Sequence, residues 1–174
     1  MARMNGSRLV LAAAVLGLAA SAAAGLGFRG APQAAGAQLV REVVVPAEAG
    51  WVDTGVDVAA GEEIVISASG EISLQRGNPA AACGPEGLDM VTVDQPVPDV
   101  NLGALIGKVA QFVSARLDED TGAEIRDEIF VIFFVGPERA LSAPVKGRLY
   151  LGVNENVVKD NGGVFTVRVF RRPA

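Results

Sequence analysis

From Leu39 to the C-terminus, the sequence consists of short runs rich in β-branched residues, separated by clusters of Gly, Pro, Asn and Asp. This pattern is typical of an all-β sandwich or barrel, in which short strands are joined by turns. Helical periodicity is weak throughout, which argues against a helical domain. The sequence therefore predicts a single all-β domain.

Alternation of apolar and polar residues predicts seven strands. They are residues 39–45, 51–58, 63–69 with a continuation at 71–74, 103–110 prolonged by 112–117, 124–135, 147–153 and 163–170. The apolar run 129–135 indicates a buried strand, whereas the acidic stretch 118–122 indicates a solvated turn. Residues 75–101, rich in Gly and Pro, form a loop far longer than usual connections, and such loops are commonly functional or disordered.

The composition excludes several classes of function. The 174 residues contain no His, so the usual general base, the Ser-His-Asp and Cys-His pairs and the commonest transition-metal ligand are all missing. A net charge of -5 with scattered Lys and Arg lacks the basic footprint of a nucleic-acid-binding protein. No pair of carboxylates has a spacing that suggests glycoside hydrolysis. We therefore expect a protein that is not an enzyme and does not bind nucleic acid.

The N-terminus has the pattern of a secretory signal. Arg3 and Arg8 precede an apolar run over residues 9–28, and small-residue triplets suited to cleavage occur at 20–22 and 35–37. The run is also long enough to cross a bilayer as a helix. We expect residues 1–28 to be a signal peptide or a membrane anchor, 29–37 a linker and 38–174 the folded domain. The protein is then secreted, periplasmic or held at the cell envelope.

The segment between the last two predicted strands is dense in oxygen donors. Glu155, Asp160 and Asn161 are the types of residue that bind calcium, a hard cation that prefers carboxylate and carbonyl oxygens. A plain hairpin is the alternative, because Asn, Asp and Gly are also the usual residues of turns. From the residue types alone, both interpretations stay open.

Three stretches of the sequence together resemble a known family. Residues 103–108 follow a Pro-rich loop, 84–87 read Gly-Pro-Glu-Gly, and Asn154-Glu155 is followed by Asp160-Asn161-Gly162-Gly163 before the final strand. This order is similar to that of the PA-I galactophilic lectin family of small calcium-dependent bacterial lectins, over residues 45–169. The chain differs in its shorter last loop, in lacking the family's sugar-contacting His and in an insertion around residues 110–127.

The resemblance implies a galactose-binding-like jelly roll whose last loop holds calcium, which in turn coordinates sugar hydroxyls. By position, the implied calcium ligands are Glu155, Asp160 and Asn161, with backbone carbonyls near Val157 and Leu74. The implied sugar-binding residues are Asn154, Glu155, Asn156 and Asp160.

Two functional interpretations follow from the sequence. The first is an exported noncatalytic domain that binds carbohydrate with calcium, and that gains avidity if it forms a homo-oligomer. The second is a membrane-anchored β-sandwich of the cell envelope that mediates protein contacts without a metal. Trp51 and Tyr150 lie in predicted strands, so we expect core or sheet-face residues rather than a platform for a sugar ring. The single Cys83 is expected to be a buried thiol, and an intermolecular disulfide is the alternative.

Overall fold

The computed structural model describes residues 36–93 and 95–173. In this part of the chain the elements are β1 (Gln38–Pro46), β2 (Trp51–Val58), β3 (Glu63–Ser73), a 3-10 turn (Pro79–Ala81), β4 (Ala82–Cys83), β5 (Leu105–Leu117), β6 (Glu124–Phe134), β7 (Glu138–Ser142), β8 (Gly147–Val153) and β9 (Gly162–Arg171). The expected all-β class is confirmed for the described residues. Residues 1–28, interpreted above as a signal or anchor, lie outside them, as does most of the linker. No helix in the described ranges is long and apolar enough to span a membrane.

The strands form two antiparallel sheets. The first sheet has the order β1-β9-β3-β4, with β7 also paired to β3, and the second sheet has the order β2-β8-β5-β6. Consecutive strands β8 and β9 belong to different sheets, so the segment that joins them crosses from one sheet to the other.

A single apolar core lies between the sheets. Ile64 and Ile66 of β3 and Val167 of β9 are fully buried on the first sheet, and they pack in one cluster with Leu149 and Leu151 of the second sheet. Burying a side chain of this size stabilises the fold by about 2 kcal/mol. Alternate residues of both sheets therefore supply the core of a β-sandwich, as the alternating pattern predicted.

Two strand predictions were incomplete. Residues 63–73 form one strand in which Gly70 has a φ of 109°, a conformation that glycine adopts without steric cost. A Cβ there would lie 2.6 Å from the Val164 carbonyl oxygen. Strand β7 was not predicted at all, because its sequence Glu-Arg-Ala-Leu-Ser lacks a clear apolar alternation.

The prediction of a buried strand at residues 129–135 was only partly right, because Phe133 and Val135 are buried but the other side chains of the run are half-buried or exposed. Among the strands that the structure describes, β6 pairs only with β5 and forms an edge of the second sheet. Within β6 only Phe133 is buried, and Ile129 is 46% exposed. A continuous apolar run does not distinguish a central strand from an edge strand, because that distinction depends on which other strands arrive beside it.

The β5–β6 hairpin extends beyond its neighbour β8. Strand β8 pairs with β5 only as far as Ala110, whereas the pairing with β6 continues to Leu117 and Glu124. Residues 111–117 are all exposed, and residues 118–122 form the exposed turn that the sequence predicted. The region interpreted as an insertion thus forms a two-stranded arm.

Candidate functional site

The oxygen-rich segment, residues 154–161, connects β8 to β9 at one end of the sandwich. The long loop after β3 packs against it at two points. The backbone amide of Arg76 donates to the Asp160 carbonyl at 2.8 Å, and the backbone amide of Val97 donates to Asn154 Oδ1 at 2.8 Å. The two segments that the sequence singled out therefore lie side by side.

The side chain of Asn154 is fully buried and holds the long loop. Its Nδ2 donates to the carbonyls of Val97, Val100 and Asn101 at 3.0 to 3.2 Å. A buried amide that is paired in this way stabilises a loop, because its donors and acceptor would otherwise be unpaired. In this structure Asn154 positions the loop and does not present its side chain at the surface.

Asn161 faces Glu155 across the connecting segment. The Asn161 side chain is fully buried, and its Nδ2 donates to Glu155 Oε2 at 2.5 Å and to the Ala47 carbonyl at 3.2 Å. Its Oδ1 is buried and has no hydrogen-bond partner among the described residues. A buried oxygen without a partner is uncommon in folded proteins, and a bound cation or water would satisfy it.

Negative charge is concentrated beside this amide. Burial raises the pKa of Glu155 above its ordinary value, and the neighbouring charge of Asp160 acts in the same direction, although the hydrogen bond from Asn161 opposes both. Two carboxylates that interact in a partly desolvated place favour either a proton or a cation between them. Glu155 and Asp160 are therefore close enough for their charges to interact.

Arg76 and Glu48 also border the site, although no motif in the sequence pointed to either residue. Arg76 Nη2 donates to the Asn161 carbonyl at 2.8 Å and forms an ion pair with Glu48 at 2.8 Å. The Arg76 and Glu48 side chains are 65% and 60% exposed, so the pair lies at the rim. The Arg76–Asn161 contact joins residues 85 positions apart, and no local pattern in the sequence identifies such a contact.

The remaining predicted site residues occupy different environments. Asn156 is exposed, and Val157 is 65% exposed in the middle of the segment. The Leu74 side chain is buried, two residues before Arg76. Among the described residues, no group of three or more His, Cys, Asp or Glu side chains is arranged to hold a metal ion. A cation here would depend on two carboxylates, the Asn161 amide oxygen and backbone carbonyls, a mixture that suits calcium and not a transition metal.

The described residues thus define a two-sheet, all-β domain with an oxygen-lined loop at one end of the sandwich. No protein-family model matches the chain, and no curated protein matches it either. Among solved structures it is similar to the N-terminal domain of EclA, described as a PllA-like lectin. The two are 26% identical with a TM-score of 0.53, and the match covers 78% of this chain and 98% of the other. One structural neighbour of the chain is therefore a lectin domain, nearly all of which is matched.

Proposed function

We propose that the protein is a noncatalytic carbohydrate-binding domain that uses calcium at residues 154–161, in a sandwich of the galactose-binding-like jelly-roll type. The proposal rests mainly on the buried, unpartnered Oδ1 of Asn161 beside the carboxylate of Glu155. The similarity to a PllA-like lectin domain supports the carbohydrate-binding part.

Glu155, Asp160 and Asn161 would hold the calcium ion, with backbone carbonyls of the segments around Val157 and Leu74. A bound cation would supply affinity for vicinal hydroxyls and would remove the repulsion between the two carboxylates. The exposed Asn156 and the rim oxygens of Asp160 orient the hydroxyls. Asn154 contributes by fixing the loop behind the site, since its amide is already bonded to the long loop.

Thermal unfolding in calcium and then in chelator tests the proposal directly. A ligand that binds only the folded protein raises its stability, by about 2.7 kcal/mol at a hundred times the dissociation constant. We expect millimolar calcium to raise the Tm of the wild-type protein. The Tm of Glu155→Gln and that of Asp160→Asn should be the same with and without calcium. Glu119→Gln, a carboxylate change in the exposed turn of the arm, is the matched control and should respond as wild type does.

A glycan array in the same two buffers tests the second half of the proposal. We expect glycans to be retained in calcium and released by chelator. If the protein is folded in both buffers and its Tm does not respond to calcium, the proposal of a calcium site at residues 154–161 is wrong. A metal-independent envelope domain that contacts other proteins would then be the better interpretation.

A further inference from the structure

A second group of side chains lies on the outer face of the second sheet. Lys108 and Tyr150 are opposite each other on β5 and β8. Their chain neighbours Val109, Leu149 and Leu151 are fully buried in the core, so Lys108 and Tyr150 point to the outside. Trp51 of β2 is opposite Gly152.

The rings of Trp51, Tyr150 and Phe130 surround the Lys108 ammonium. Lys108 Nζ lies 4.9 Å from the Trp51 centroid, 4.8 Å from that of Tyr150 and 5.7 Å from that of Phe130. Gly152 makes room for the indole, because a Cβ there would lie 3.1 Å from Trp51 Cε3. The chain contains one Trp and one Tyr, and both lie on this aromatic face, defined by Trp51, Lys108, Phe130 and Tyr150.

A shallow depression, which Tyr150 also lines, lies beside the aromatic face. Arg148 binds Asp57 through two hydrogen bonds of 2.7 and 3.0 Å and also contacts Asp53. The charged residues that line the depression are three acids and three bases, namely Asp53, Asp57, Glu128, Arg126, Lys146 and Arg148. Lys108 adds one positive charge, so the aromatic face and the depression together carry a formal charge of +1. Acids and bases are interspersed there, and this is not the basic cluster that a polyanion needs.

We propose that this face binds the sugar rings of an extended neutral glycan. The electron-rich ring faces that attract the Lys108 ammonium also attract the partly positive C–H groups of a sugar ring. Because Lys108 Nζ lies over these faces, a sugar ring would displace it, and the flexible lysine side chain would then donate to hydroxyl groups at the edge. The ion-paired Arg148, Asp53 and Asp57 offer donors and acceptors at the edge for hydroxyl groups. A protein partner fits this face less well: its aromatic rings and Arg148 are of types that protein interfaces favour, but Lys, Asp and Glu, which supply most of its charges, are depleted there.

The aromatic face is close in the chain to the candidate calcium loop. Gly152, which lies under the Trp51 indole, precedes Glu155 by three residues, or about 10 Å of extended chain. One oligosaccharide can reach both places, so this inference extends the proposed function from a single sugar to a chain of sugars. The inference rests on the proposed carbohydrate binding, which gives the class of ligand. It does not depend on calcium, because the aromatic face needs no metal.

Titration with neutral galactan and glucan oligosaccharides, with galactose for comparison, tests the inference. Trp51 is the single Trp, so its fluorescence reports binding at this face. We expect an oligosaccharide to change the emission in calcium and in chelator alike. Tyr150→Leu should weaken oligosaccharide binding about tenfold, whereas Tyr150→Phe, which keeps the ring, should bind as wild type does. Both variants should keep the calcium-induced rise in Tm.

The outcomes separate this inference from the proposed function. Wild-type oligosaccharide affinity in a folded Tyr150→Leu protein, or no change in Trp51 emission with any of the sugars, would overturn the aromatic face while leaving the calcium loop intact. A Trp51 response without any calcium effect on Tm would support the face and contradict the loop. If Tyr150→Leu does not fold, the oligosaccharide affinity of Trp51→Leu can be measured by titration calorimetry and compared with that of the wild-type protein.

Discussion

Asn154 and Val97 are joined by two reciprocal hydrogen bonds. The Val97 amide donates to Asn154 Oδ1 at 2.8 Å, and Asn154 Nδ2 donates to the Val97 carbonyl at 3.0 Å. Val97 is itself 4% exposed. The end of β8 is thereby fastened to the long loop, so the loop and the candidate site form one structural unit.

Replacing Asn154 by Ala should strongly destabilise the protein. The substitution leaves the Val97 amide and several loop carbonyls buried without partners, which costs about 3 kcal/mol. Urea unfolding measures the loss. Val157→Ala in the same segment is the control, because Val157 is 65% exposed and should change the free energy of unfolding by less than about 0.5 kcal/mol. A similar small change for Asn154→Ala would contradict the assigned role.

Glu155→Gln should stabilise the metal-free protein at neutral pH. Burial, aided by Asp160, raises the folded-state pKa of Glu155 above its ordinary value of 4.5. The folded state therefore binds more protons than the unfolded state just above pH 4.5, and stability falls as pH rises through that window. Glutamine keeps an oxygen to accept from Asn161 without this penalty.

Urea midpoints of both proteins in chelator, measured from pH 4 to pH 8, check this prediction. The advantage of the variant should vanish below the unfolded-state pKa and grow above it. Two results would show that burial of the charged Glu155 does not destabilise the fold. The wild-type protein could be more stable than Glu155→Gln at pH 7, or the difference in stability between the two proteins could be independent of pH.

Gly163→Ala should cost more stability than Gly61→Ala. Both glycines have positive φ, 85° and 81°, so each substitution costs roughly 1 kcal/mol of backbone strain. A Cβ on Gly163 would also lie 2.5 Å from the Glu71 carbonyl oxygen, whereas one on Gly61 meets nothing within 4 Å. The collision should add about 2 kcal/mol. Equal losses in thermal unfolding would contradict the close approach of β3 and β9.

Cys83 should be unreactive in the folded protein. The residue is 7% exposed, and burial, followed by the charge of Glu86, raises the pKa of its thiol to about 11. Because the thiolate is the reactive form, we expect an aromatic disulfide reagent at pH 8 to modify Cys83 only after denaturation. Rapid modification of the native protein, or a disulfide-linked dimer on a non-reducing gel, would favour the intermolecular bridge instead.

The alternation of apolar and polar residues was sufficient to predict the bounds of strands that bury one face. Strands β2 and β8 have the predicted bounds, because Val56 and Val58, and likewise Leu149 and Leu151, alternate with residues that face away from the core. The burial of Cys83 was also predicted. The same reasoning failed for β6, where an apolar run lies at a sheet edge.

The long loop could not be predicted from its composition. Gly and Pro indicate a loop, but they do not show that it contains a 3-10 turn, the short strand β4 and a bridge between Leu88 and Leu102. The conformation of the loop is held by Asn154, which is 57 residues beyond Val97 in the chain. Contacts across such separations form only when the whole fold brings the segments together.

The sequence by itself determined the all-β class and the oxygen-rich segment, because alternation and side-chain chemistry are local properties. The tertiary structure alone decided how its two asparagines differ. Asn154 is bonded to the long loop, while Asn161 lies between Glu155 and Ala47, which is 114 residues away, and retains an unpartnered oxygen. The amides are chemically identical, so their roles depend on which distant backbone groups the fold places beside each one.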